Sequence, residues 1–325
     1  MTMRRRLSIL ALLALSLLAG CQPAADQGLT LPTPITAGQT VETAEPAPTA
    51  APTALPSPQP PTATAPAPTA SPQPPTPQPP TPDPQSLSVA YVELGDTLNV
   101  RSGPGADYDV VAELPPDATG LALDESLESL VTGSAWVWVE GDGVAGWVNS
   151  RYLTAAADEA AFCGDPAVAA IVADLETAIA NRDGALLAGL VHPQRGLRLR
   201  HAWWNNEVFV PGDEVAGLFD SDTVYDWGEA GGSGLPLTGS FSEMLLPLLD
   251  QDLLSGTERA CNEILHGPTA GMVILPEAYQ PVPFVSLLRP APGDVAFDWG
   301  SWAVGIERWD GAYYLSYLVH YAYEI

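Results

Sequence analysis

The sequence predicts a multidomain chain. A disordered Pro-rich stalk spans residues 21–85, a small all-β barrel spans 86–156, and an α+β domain spans 157–325, with helices on one face of a curved antiparallel sheet. Three observations predict this. Gln22 to Gln85 holds 20 of the 34 prolines. Leu87 to about Ala156 is a series of short β-runs broken by turns. The remainder opens on capped, helix-periodic segments and closes on an Asp-Gly hairpin pattern.

The first twenty residues read as a leader. Arg4, Arg5 and Arg6 precede an apolar run from Leu7 to Ala19. A basic start, a short apolar core and small residues at the cut describe a secretory signal. The run is shorter than the ~20 residues of a membrane span. Leu18-Ala19-Gly20-Cys21 resembles the lipobox of bacterial lipoproteins. The resemblance implies that Cys21 is acylated, with palmitate among the chains carried, and becomes the first residue of a mature protein held on the outer face of the cell membrane. The expected partner at this end is the bilayer, and a plain secreted protein is the alternative.

Charge narrows the partners further. The chain carries −27 formally, has no lysine, and loses three arginines with the leader. Nine arginines then face 39 acids, which leaves −30. Such a surface repels nucleic-acid phosphates, so no nucleic-acid partner is expected. Tracts such as Pro72-Gln73-Pro74-Pro75-Thr76-Pro77 cannot bury apolar surface or complete a hydrogen-bond ladder, and they favour solvated polyproline II. The 64 residues from Gln22 to Gln85 could reach roughly 200 Å in that form.

In the β-region, Leu98-Asn99-Val100-Arg101 leads into Ser102-Gly103-Pro104-Gly105, and Val110–Leu114 ends at Pro115-Pro116. Val137-Trp138-Val139-Glu140 and Gly146-Trp147-Val148 flank a Gly141-Asp142-Gly143 turn. Together with Tyr108, Val110-Val111 and Tyr152-Leu153, these segments resemble the bacterial SH3 (SH3b) domain over about 70 residues. The stretch Leu121 to Ser134 departs from that pattern and reads as a long acidic loop. The resemblance implies a non-catalytic accessory module that binds cell-wall peptides or glycans, peptidoglycan among them, or acts as a spacer. The groove candidates are Asn99, Arg101, Tyr108, Trp138, Trp147 and Tyr152. Aromatic rims would stack on a ligand while Arg101 reaches a carboxylate. Alternatively, the tryptophans are core, and Asn99 and Arg101 brace the Gly103–Gly105 turn.

In the last region, Asp165-Pro166 is an N-cap followed by proline at the first helical position. Val168, Ile171, Val172, Leu175 and Ile179 recur at helical spacing up to Asn181–Gly184. A shorter helix follows over Ala185–Val191. Ser240 with Glu243 forms a capping box before Met244-Leu245-Leu246. Trp302–Ile306, Trp309-Asp310-Gly311 and Tyr313–Tyr323 predict a closing hairpin. On the last strand Tyr313, Tyr317, Tyr321 and Tyr323 share one parity, as sheet core or as a stacking platform. His192-Pro193 with Gly196-Leu197-Arg198, Tyr225-Asp226-Trp227-Gly228, Asp298-Trp299 and Tyr314-Leu315 with His320 are similar to a C-terminal domain of many secreted bacterial proteins. The element order also resembles the NTF2/cystatin-like cone, which implies a pocket.

The pocket candidates are His192, Arg198, Asp226, Asp298 and His320, with His201 beside them. Converging, they could bind a metal or form an acid/base pair. No HExxH or HxH spacing is present, so no metal or cofactor is expected, and structural polar contacts are the bland interpretation. Cys163 and Cys261 lack the setting of a peptidase nucleophile. In an oxidising compartment they read as a disulfide or as two buried thiols. The function expected is a lipid-anchored envelope protein that binds rather than catalyses. The alternative is an envelope hydrolase with its active site in the C-terminal domain.

Overall fold

The computed structural model of the protein describes residues 86–141, 143–293 and 295–323. The expectations for the leader, Cys21 and the Pro-rich tract lie outside these residues. The protein has an α+β fold dominated by two sheets. No helix among the described residues is long and apolar enough to cross a membrane.

Seven strands form the first sheet: β1 (Ser86–Val89), β2 (Leu98–Arg101), β3 (Val110–Leu114), β4 (Leu121–Val131), β5 (Ser134–Gly141), β6 (Val144–Asn149) and β7 (Leu153–Ala155). Their order is β3-β2-β6-β5-β4-β1-β7, with every pairing antiparallel. Strand alternation turns Val100, Val137, Val139 and Val148 inward, onto Leu87, Leu98, Leu114, Leu121 and Leu153. The stretch expected as a loop from Leu121 is instead strand β4. Its register with β5 slips between Asp124 and Glu128, so a bulge absorbs the extra residues that made the sequence look irregular.

The second half begins with α1 (Glu159–Gly164), α2 (Pro166–Asn181) and α3 (Gly184–Leu190). The Asp165 carboxylate caps α2 by accepting from Ala167 N at 2.9 Å, and Arg182 ends it in the left-handed conformation. β8 (Leu197–Arg200), β9 (Val208–Val210) and the hairpin β10 (Tyr225–Glu229) and β11 (Pro236–Gly239) follow. The expected capping box at Ser240–Glu243 starts α4 (Phe241–Met244), which leads into α5 (Leu246–Leu248) and a π-helical turn, Leu249–Leu253. β12 (Glu258–Cys261), β13 (Phe284–Arg289), β14 (Gly300–Trp309) and β15 (Ala312–Ala322) complete the chain. Asp310 (φ 49°) and Gly311 (φ 80°) make the turn between the last two, as expected.

The second sheet has the order β12-β13-β14-β15-β8-β9. It is not wholly antiparallel, because β8 runs parallel to β15. Most of the domain's chain separates these two strands, which supplies the long crossover that a parallel pair requires. On one face, Trp302, Val304, Ile306 and Leu318 belong to the core built with α2, α5 and the π-helical turn. On the other, Phe284, Tyr317, Val319 and Tyr321 pack under Ala278, Tyr279 and Val282. The last-strand tyrosines do not share one face. The pairing shifts so that Gly305 faces Tyr317 while Ile306 faces Leu315, which leaves Ser316 as an extra residue. Tyr313 therefore lies with the helix-side core, and Tyr317 and Tyr321 lie in the opposite one.

The two halves share their cores. Trp309, from the second sheet, is buried among the core residues of the first. Tyr91 packs on Tyr279 and Tyr317 and bonds the bulged Ser316 hydroxyl at 2.5 Å. A run of arginines completes the join. Arg195, 1 % exposed, binds Glu307 at 2.8 and 2.5 Å and donates to the carbonyls of Ser150 and Leu153. Arg198 donates to Arg151 O and lies 3.7 Å from the Tyr91 ring centre. Arg200 binds Glu93 at 2.9 Å.

Candidate functional site

The first half carries an open cleft of about 410 Å³ on the outer face of its sheet. Residues at odd positions on β2 point outward, which places Asn99 and Arg101 there; Val100 between them is core. Register pairs Arg101 with Trp147, Trp147 with Trp138, and Asn149 with Trp136, so this row shares one face. Asn99, Arg101, Trp136, Asn149 and Tyr152 line the cleft, closed on its far side by the Tyr91–Leu98 segment. Two carboxylates, Glu93 and Asp96, sit at that side. Arg200 pairs with Glu93 from behind.

Of the six expected groove residues, the structure gathers Asn99, Arg101 and Tyr152 in the cleft. Arg101 also braces the turn, because its Nη1 donates to Tyr108 O at 2.7 Å. Tyr108 lies outside, half exposed, with its ring stacked on the Gly103 backbone. Trp138 and Trp147 are neither core nor cleft. They form an edge-to-face pair at 6.0 Å on the outer face, with Trp138 Nε1 donating to Glu140. Trp136 and Asn149 were missed by sequence reasoning. Their signal was parity: Trp136 stands two residues before Trp138 on the same strand.

The five pocket candidates of the second half lie in four places. His192 is half-buried against the Tyr314 ring, 4.8 Å between centres. Burial, and then the neighbouring Arg195 charge, push its pKa down. Arg198 is buried at the join between the halves. Asp226 lines a separate cleft with Trp204. Asp298 and His320 belong to one network through two residues not foreseen. His320 Nε2 lies 2.7 Å from Asp252 Oδ2, Asp252 Oδ1 accepts from Arg289 Nε at 2.7 Å, and Arg289 Nη2 donates to Asp298 at 3.0 Å.

Asp252 comes from the π-helical turn, which swings its carboxylate beneath β14. The backbone there is Gly300, where a Cβ would fall 2.1 Å from the carboxylate, so only glycine admits this approach. Burial pushes the Asp252 pKa up, but the bonds and charges of His320 and Arg289 outweigh it and hold the carboxyl below its ordinary range. His320 packs on Trp302 at 4.8 Å. His201 lies near it, and burial first, then the His320 charge, lower its pKa to about 4.

Cys163 and Cys261 form a disulfide with their Cα atoms 5.8 Å apart, which ties α1 to edge strand β12. Neither cysteine therefore offers a free thiolate. Among the described residues, no three His, Cys, Asp or Glu side chains are placed to hold a metal. No protein-family model matches the chain, and the curated proteins give no match to it.

Proposed function

We propose that the chain is an exported protein, lipid-anchored at Cys21 to the outer face of the cell membrane. Its first half would be an SH3b-type barrel that binds or orients on a cell-wall polymer such as peptidoglycan. The second half is a non-catalytic binding or interaction unit, held out by the Pro-rich stalk. The observation that carries the reading is the outer-face cleft. It brings an arginine, two carboxamides and three aromatic side chains together, with Glu93 and Asp96 at one side. A guanidinium suits a peptide carboxylate, carboxamides suit amide or hydroxyl groups, and aromatic faces suit sugar rings. Support for the barrel is the short-strand antiparallel order around one apolar core.

The hydrolase reading has one specific observation in its favour, the buried His320–Asp252 pair. An acid–histidine pair orients a general base. Here the second carboxylate oxygen is taken by Arg289, and among the described residues no hydroxyl bonds the imidazole. The pair reads better as a brace between the π-helical turn and β15.

Two measurements test the proposal. Cys21→Ser should remove the chain from the detergent phase; a variant that still partitions there would refute the anchor. The full chain should pellet with purified peptidoglycan across moderate salt. A chain that stays in the supernatant throughout would leave the first half a spacer.

A further inference from the structure

We propose that the cleft between Trp204 and the β10–β11 hairpin binds an organic cation, a ligand bearing a charged amino group. The inference rests on reading the second half as a binding rather than a catalytic unit. It shares no residue with the outer-face cleft of the first half.

The space is about 470 Å³, within the range of small-ligand sites. Trp204, Asn205, Asn206, Asp226, Glu229 and Pro236 line it, with the backbone of Gly228. Trp204 is 39 % exposed, a large aromatic surface in a half whose other tryptophans are mostly covered. Trp203 meets it edge-on at 5.4 Å, which fixes the indole. The hairpin opposite is tied to the same loop: Asn206 N donates to Trp227 O at 3.2 Å, and Asn205 Nδ2 donates to Glu229 O at 2.8 Å. Asn205 is almost wholly buried, and its Oδ1 lies beside His201, whose protonated form it favours. Gly228 sits at a register slip in β10 with φ +101°, a conformation that only glycine adopts easily. Its N–H donates to Asp226 Oδ1 at 3.0 Å, which orients that carboxylate.

The charge of the cleft selects the ligand. Two carboxylates, Asp226 and Glu229, line it, and no arginine or histidine does. Among the described residues neither carboxylate has an ion-pair partner. A cation over the indole face gains from the ring quadrupole and from both carboxylates. An anion is repelled, and a neutral sugar gains stacking alone.

The test compares two sugars that differ in charge. The full chain is titrated with glucosamine and with N-acetylglucosamine at pH 6, followed by its indole N–H NMR signals. Trp204→Ala assigns the Trp204 signal. Glucosamine should shift that signal and bind several-fold more tightly than its acetylated form. Trp204→Ala and Asp226→Asn should each weaken glucosamine by roughly two- to five-fold. Asparagine keeps the acceptor for Gly228 N–H, so the hairpin should stay folded, and the N-acetylglucosamine affinity should not change. Equal binding of both sugars, or no shift at Trp204 up to tens of millimolar, overturns the inference. Chemical conversion of either sugar in the tube would overturn the binding-unit reading instead, and is seen directly in the sugar's own signals.

Discussion

Arg195→Ala is the sharpest perturbation of the join between the two halves. In the native protein Arg195 and Glu307 are each about 1 % exposed. The guanidinium also holds the carbonyls of Ser150 and Leu153, which belong to the end of the first sheet. Truncation leaves the Glu307 carboxylate buried without its counter-charge, and breaking such a pair costs about 3–5 kcal/mol. The orphaned carbonyls add to this, with a shared-network total below the sum of the parts. A loss of about 4 kcal/mol is a large share of the ~5–15 kcal/mol stability of an ordinary protein. It corresponds to a Tm lower by about 8–16 °C for a unit of this size. Urea unfolding followed by tryptophan fluorescence and far-UV circular dichroism measures it. The wild type should unfold in one coincident transition because Trp309 sits in the first core. A loss under 1 kcal/mol in Arg195→Ala, or separate transitions in the wild type, would refute the reasoning.

Three further outcomes follow from the same structure. The Cys163–Cys261 bridge spans 98 residues, so reduction should cost about 4–5 kcal/mol in the chain-entropy model; two titratable thiols in the unreduced protein would rule the bridge out. His201 binds its proton at about pH 4 when folded, against about 6.5 unfolded. The unfolded chain therefore holds more protons between those values, and stability should fall as pH drops from about 6.5 to about 4. His201→Gln should flatten that slope, and an unchanged slope would contradict the assignment. Asp252→Asn should lower stability at neutral pH and narrow the gap to wild type below the Asp252 native pKa, because a depressed carboxyl pKa stabilises only above it; a gap that stays constant into acid would remove the Asp252 charge from the account.

The sequence made the local devices legible and left the long-range ones hidden. Asp165-Pro166, the Ser240–Glu243 box and Asp310-Gly311 act within a few residues, so their identities suffice to place helix starts and a turn. The bulge at Ser316 is invisible to a parity count, and one extra residue moved Tyr313 to the other face. The slip in β4 made a strand read as a loop for the same reason. Half of the outer-face cleft was found because Asn99 and Arg101 share a short strand; Trp136 and Asn149 reach it only through cross-strand register. Asp252 lies 68 residues from His320, and no spacing rule announces that pairing.

Wall engagement by the first half is proposed to run through its outer-face cleft. The most direct test pellets the full chain with peptidoglycan, comparing wild type with Asn99→Ala/Arg101→Gln and with Trp138→Ala. Asn99 is exposed and Arg101 half-buried, and far-UV circular dichroism of the double variant checks that loss of the Arg101–Tyr108 bond leaves the fold intact. Losing a charged hydrogen bond and a neutral one should weaken binding about tenfold or more. Trp138 lies outside the cleft, so its variant should pellet as wild type does. Undiminished pelleting of the double variant, or a loss confined to Trp138→Ala, would contradict the account.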